Sequence, residues 1–129
     1  MIATKRAYEP AAASDGYRVL IDRLWPRGVS KAKAKLDAWE KGIAPSATLR
    51  QWYGHDPAKW KDFQSRYRRE LRSADAKAVL DNLAMRAKRG RVTLVYASRD
   101  SEISDVAVIE RILRRRLQKT ERSGSTRQT

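Results

Sequence analysis

The chain contains no cysteine and a single histidine, His55. Without cysteine there can be no disulfide bond, no thiolate zinc site and no cysteine nucleophile. One imidazole also excludes a metal site built from several histidines of the same chain. The sequence therefore predicts no metal and no cofactor, and it excludes thiolate phosphatase or sulfurtransferase chemistry.

Long hydrophobic runs are also missing. No apolar stretch approaches the ~20 residues needed to cross a bilayer, and the first residues lack the apolar core of a secretory signal. We therefore predict a cytoplasmic protein that makes no membrane contact. A length of 129 residues fits one hydrophobic core. Residues 1–118 are predicted to form a single α/β domain, and residues 119–129 a basic, flexible tail.

Acidic residues are scarce relative to basic ones. The chain has 29 lysines and arginines against 15 aspartates and glutamates, a formal charge of +14. This positive field favours a small anionic ligand or nucleic acid as the partner. No recognition-helix, zinc-finger or ribonucleoprotein pattern is present, so nucleic-acid binding would be non-specific and salt-dependent. A structural domain without a ligand is a third alternative, and a homodimer is compatible with a sequence that identifies no interface.

Apolar patterns predict strands separated by helices. The predicted strands cover residues 2–8, 17–25 and 91–97. The predicted helices begin at Ser30 and run through Trp39, begin at Ser46, begin at Asp56 and run through Leu71, and contain Val79–Ala87 and Val106–Leu117. Gly90 is expected in a left-handed conformation after the fourth helix. This alternation predicts a small three-layer α/β fold with a mainly parallel sheet and helices packed on its faces.

Charged side chains follow two of the predicted strands. Asp22, Arg23 and Arg27 come after the second strand, and Arg99 and Asp100 come after the last. If these strands are parallel neighbours, their carboxyl ends bring the groups together. Arginine forks suit phosphate or carboxylate, and the next helix would add amide donors from its N-terminus. The pattern predicts an anion pocket, and its alternative is salt bridges that pair these groups and only hold the loops.

His55 is a candidate general acid or base. Asp56 follows it, and a carboxylate can orient an imidazole and raise its basicity. Asp56 is also predicted to cap the next helix, which leaves an ordinary loop role for His55 as the alternative. Trp52 is a candidate wall of the same cleft, although core packing explains a tryptophan equally well. The sequence leaves open whether the chain is an enzyme.

Four segments resemble the YeaO-like bacterial family, a domain of unknown function numbered DUF 488. They are Tyr17–Gly28, Ile43–Ser46, Leu49–Pro57 and Val92–Asp100, and the similarity extends to about Leu117. The resemblance implies an α/β fold but no established activity. It implies that the matching polar positions are Asp22, Arg23, Arg27, His55 and Arg99.

The chain departs from the family pattern after the last strand. A Glu-x-x-His-Asn-like segment is usual there, whereas this chain has Glu102, Ile103, Ser104 and Asp105. The imidazole and the amide of that segment are therefore missing. This departure favours anion binding over catalysis at the predicted pocket.

Overall fold

The computed structural model describes residues 1–128, with side chains through Lys119. One sheet contains the strands β1 (Ile2–Arg6), β2 (Tyr17–Leu20), β3 (Ala38–Trp39) and β4 (Val92–Tyr96). All pairings are parallel, in the order β1-β4-β2-β3. The α-helices of the described residues are α1 (Lys31–Ala34), α2 (Ala47–Tyr53), α3 (Trp60–Glu70), α4 (Ala74–Arg89) and α5 (Asp105–Gln128). The predicted α/β fold with a parallel sheet is confirmed.

β4 lies in the interior of the sheet and pairs with β1 on one side and β2 on the other. Every residue of β4 is buried, as expected for a parallel strand covered on both faces. Its one polar side chain, Thr93, donates a hydrogen bond of 2.6 Å to the carbonyl oxygen of Asp15. The continuous apolar sequence of β4 thus follows from its position.

The two faces of the sheet are covered unequally. The main core lies on one face, where α2, α3, α4 and α5 bury their apolar sides against Val19, Val92 and Leu94. The other face has a smaller cluster in which Leu20 and Val95 pack beneath Trp39 and its neighbours. Alternation along each strand sends successive side chains to opposite faces, so a single strand contributes to both clusters. The second face is therefore covered mainly by the segment between β2 and β3.

The prediction of a helix from Ser30 through Trp39 is wrong for the residues after Ala34. Lys35 ends it in a left-handed conformation with a φ of 44°. The chain then forms the short edge strand β3 alongside β2. Leu36 and Trp39 have helical spacing in the sequence, but both pack on the second face of the sheet from an extended segment. The i, i+3 pattern was too short to separate the two structures.

The second strand is shorter than predicted. It ends at Leu20, and the chain bends at residues 22–24. The predicted caps are confirmed, since Ser30, Ser46 and Asp56 each accept a backbone N–H with their side chains. The left-handed prediction for Gly90 is wrong, because its φ of −172° is extended.

Two predictions concern parts of the chain outside the sheet. No helix in the described residues combines the length and apolar character that a membrane crossing requires. The predicted flexible tail, residues 119–129, lies almost wholly beyond the side chains that the structure describes. It stays a prediction.

Candidate anion-binding site

The ends of β2 and β4 meet as predicted. Asp22 follows β2, and its Oδ2 atom accepts a 2.8 Å hydrogen bond from the backbone N–H of Ala97, which follows β4. Beside this bond lies a cavity of about 330 Å³ between the strand ends, the start of α5 and the end of α2. Its volume is near the lower end of the range for small-molecule pockets.

Three arginines line this cavity: Arg23, Arg27 and Arg50. The Nε of Arg23 donates a 3.1 Å hydrogen bond to the carbonyl oxygen of Pro45, which fixes the base of that side chain. Within the described residues, the exposed side chains of Arg27 and Arg50 make no hydrogen bond, and none of the three arginines forms an ion pair with a carboxylate. Their donor groups are available to a ligand.

Arg50 was not predicted from the sequence. It lies in α2 and not at the end of a strand, so the strand-end rule could not select it. The helix places it four residues after Ser46, which caps α2 and accepts the N–H of Leu49 at 3.1 Å. A helical position facing a strand end is visible only when the packing of that helix is known.

Two carboxyl groups lie side by side in the cavity wall. Asp105, at the first position of α5, is hydrogen bonded through its side chain to the carboxyl of Asp22. Desolvation first, and then the negative charge of Asp22, raises the pKa of Asp105 well above its ordinary value. A carboxylate beside another carboxyl group ionises less readily, so the neighbouring Asp22 adds to the effect of burial on Asp105.

Asp105 also occupies the start of α5. Its Oδ1 accepts a 2.9 Å hydrogen bond from the N–H of Val106. The amide donors predicted at this helix N-terminus are therefore partly used by the protein itself. The neighbouring Ser104 is 3% exposed, lines the cavity, and has a hydroxyl without a hydrogen-bond partner among the described residues.

Aromatic side chains form the apolar wall. The rings of Tyr53 and Phe63 stack with centroids 4.2 Å apart, and both line the cavity. The hydroxyl of Tyr53 donates a 2.5 Å hydrogen bond to the carbonyl oxygen of Ile103. Desolvation, followed by the charges of Asp100 and Asp56, raises the pKa of Tyr53, so this hydroxyl remains a donor.

The structure places the remaining predicted residues differently. Arg99 and Asp100 are exposed and do not line the cavity, and the carboxylate of Asp100 accepts the N–H of Glu102 at 3.0 Å. The ring of Trp52 also lies outside the lining, with the guanidinium of Arg66 4.2 Å from its centroid. The alternative salt bridges, Asp22 with Arg99 and Asp100 with Arg23, are absent from the described residues.

His55 lines the cavity but has no activating partner. Its backbone is left-handed with a φ of 57°, and its exposed ring lies 6.0 Å from that of Tyr53. The carboxylate of Asp56 caps the following turn by accepting the N–H of Ala58 at 3.0 Å. No hydrogen bond joins His55 to Asp56 in the part of the chain that is described. Among those residues there is also no group of three or more ligating side chains arranged for a metal ion.

Comparison with known proteins gives matches along nearly the whole chain. A family model described as "Inactive DUF488-N3 subclade" matches residues 1–128. An uncharacterised protein of Mycobacterium tuberculosis (strain ATCC 25618 / H37Rv) is 40% identical over 112 residues, which covers 87% of this chain and 92% of the relative. The uncharacterised protein YeaO of Escherichia coli (strain K12) is 38% identical over 113 residues, covering 88% and 96%. No solved structure matches significantly.

Proposed function

Because this chain belongs to the DUF488 family, in the subclade described as inactive, we propose that it binds a small oxyanion and does not transform it. The ligand site is the cavity at the carboxyl ends of β2 and β4. Arg23, Arg27 and Arg50 hold a phosphate-type group there. The observation that carries this proposal is that the three arginines line one cavity without a carboxylate partner among the described residues.

The charge of the cavity suits a phosphate monoester. The three arginines outnumber the two acidic side chains of the lining, Asp22 and Asp105, and the raised pKa of Asp105 disfavours its ionisation, so the lining has an excess of positive charge. A phosphate monoester carries roughly −1.5 to −2 at pH 7. Hydrogen bonds from guanidinium to phosphate are charge-assisted and among the stronger polar contacts in proteins. Among the described residues no carboxylate is hydrogen bonded to His55, which supports binding without acid–base catalysis.

We expect the double substitution R27A/R50A to weaken methyl phosphate binding by a factor of about ten or more, since a hydrogen bond to a charged group contributes ~1.5–3 kcal/mol. Isothermal titration calorimetry at low ionic strength measures this loss. The matched control is R69A/R72A, which removes the same charge from exposed residues outside the cavity. Equal affinities in the two double variants would show that only the overall field matters, and the proposal would fail.

A second candidate function, non-specific nucleic-acid binding, is favoured by a cluster of arginines between α3 and α5. Partial burial, followed by the charges of Arg115 and Arg111, lowers the pKa of Arg68 below its ordinary value. Arg111 reaches across to α3, where its Nη1 donates a 3.3 Å hydrogen bond to Oε1 of Gln64. None of these three arginines forms an ion pair with a described carboxylate. Polyanionic backbone would relieve their mutual repulsion.

We expect R68A/R115A to weaken binding of a short fluorescent DNA duplex and to reduce the slope of log affinity against log salt by about two, since each phosphate contact contributes ~0.9 to that slope. Fluorescence anisotropy over a salt series measures both quantities. R27A/R50A serves as the control with the same charge change. An unchanged slope in R68A/R115A would remove this candidate.

A further inference from the structure

The cavity has a second polar end that the arginines do not explain. The carboxyls of Asp22 and Asp105 are hydrogen bonded to each other, and each also accepts a backbone N–H, from Ala97 and Val106 respectively. These three contacts fix the positions of both groups. Both residues belong to the lining of the cavity.

Ser104 provides an independent sign of a ligand at this end. Its hydroxyl is buried and has no partner among the described residues, although it lines the same cavity. An unsatisfied buried hydroxyl is costly, and such groups are rare in folded proteins. A ligand group that enters the cavity would supply the partner that this hydroxyl lacks among the described residues.

The chemistry of this end selects an uncharged hydroxyl over a charged group. A second anion would lie against the two acidic side chains Asp22 and Asp105, which do not attract it. A cation would be opposed by the three arginines of the same cavity. A hydroxyl both donates and accepts, so it can bond to a carboxyl oxygen and to the Ser104 hydroxyl together. The apolar wall of Tyr53 and Phe63 suits the carbon skeleton between two polar ends.

We infer that the ligand is a small phosphorylated polyol, with its phosphate at Arg23, Arg27 and Arg50 and a neighbouring hydroxyl at Ser104, Asp22 and Asp105. This inference rests on the proposed function and adds the class of compound. The cavity volume of about 330 Å³ limits the ligand to a compact molecule. The aromatic wall and the two polar ends together require a molecule that is charged at one end and hydroxylated at the other.

The test compares methyl phosphate, glycerol 3-phosphate and glycerol on the full chain by isothermal titration calorimetry. We expect glycerol 3-phosphate to bind about tenfold more tightly than methyl phosphate, since each added hydrogen bond contributes a few-fold in affinity. Glycerol alone should bind weakly, because it lacks the charged end. Equal affinities for the two phosphates, with binding still lost in R27A/R50A, would overturn the inference and leave the proposed function standing. No binding of either phosphate would overturn both.

The substitution S104A tests the hydroxyl end directly. It removes an unpartnered group, so the melting temperature should be unchanged or higher. The preference for glycerol 3-phosphate should fall about threefold while methyl phosphate affinity is retained. Ser101→Ala makes the same chemical change at an exposed residue of the same loop, outside the cavity lining, and should leave the preference intact. The same preference in S104A and wild type would overturn the inference.

Discussion

Replacing Asp15 with alanine is expected to lower the free energy of unfolding by about 3 kcal/mol or more. The residue lies in the 3-10 turn Ala13–Asp15, where its carboxylate accepts hydrogen bonds from Arg18 at 2.7 Å and Lys5 at 2.9 Å. Arg18 is 3% exposed and gives its remaining donors to the carbonyl oxygen of Ala34. Without the carboxylate, a buried guanidinium loses its only counter-ion among the described residues.

Urea denaturation at pH 7 measures this loss, and D15A/R18M is the informative control. Removing both partners leaves no uncompensated buried charge, so the double variant should be more stable than D15A. If D15A/R18M is as unstable as the sum of its single variants, the pairing is not the cause. The comparison therefore separates an unpaired charge from a general defect in the turn.

Acid should reduce the difference between D15A and wild type. Burial opposes the ionisation of Asp15, but hydrogen bonds from Ala12, Lys5 and Arg18 outweigh it and hold its pKa below the ordinary 3.8. A depressed pKa contributes stability that is complete above the unfolded-state pKa and is lost as the pH falls through the folded-state value. The two proteins should therefore converge in stability below about pH 4.

Phe63→Ala is expected to cost about 4 kcal/mol, which is comparable to the entire stability of many small domains. Phe63 is buried at the centre of an aromatic row, stacked on Tyr53 at 4.2 Å and on Trp60 at 5.8 Å, with Tyr67 at 5.5 Å on its other side. Truncation removes these contacts and opens a void beside the ligand cavity. The neighbouring rings belong to different turns and helices, so they cannot close the gap together.

The conservative substitution Phe63→Leu should cost much less, about 1.5 kcal/mol, because it keeps most of the buried volume. Chemical denaturation of both variants measures the two losses. Phe63 lines the cavity with an uncharged ring, so folded F63L should retain the methyl phosphate binding proposed for Arg23, Arg27 and Arg50. Equal destabilisation by the two substitutions would show that the void is not responsible.

The sequence predicts the central part of the fold because its signals are local. The mostly apolar sequence of β4 and the capping residues Ser46 and Asp56 are properties of a few adjacent residues, and the structure confirms them. The segment from Ser30 to Trp39 was misread because its short apolar spacing fits a helix and its true partner is β2. Pairing with a strand that is distant in sequence determines the structure of that segment, and no pattern of adjacent residues reveals such a pairing.

The candidate site was predictable only where it follows strand ends. Asp22, Arg23 and Arg27 lie at the cavity because β2 and β4 are neighbours, as the alternation of elements indicated. Arg50 comes from helix α2. Ser104 and Asp105 come from the segment after the last strand, where the histidine and asparagine usual for the family are missing. Their place in the candidate site arises from proximity, since burial and the neighbouring Asp22 together make Asp105 unusual. Arg99 has the right residue type, but its loop carries it outside the lining.

The position of β4 between β1 and β2 has a consequence for synthesis. The first two strands have no hydrogen-bonding contact with each other and are joined only through Val92–Tyr96. A nascent chain that ends before this segment exposes two strand edges, which are templates for aggregation. The cavity also needs residues from both sides of this late strand, including Asp22 and Asp105. The sheet is therefore completed only when β4 has been added, and the cavity only when the start of α5 has followed it.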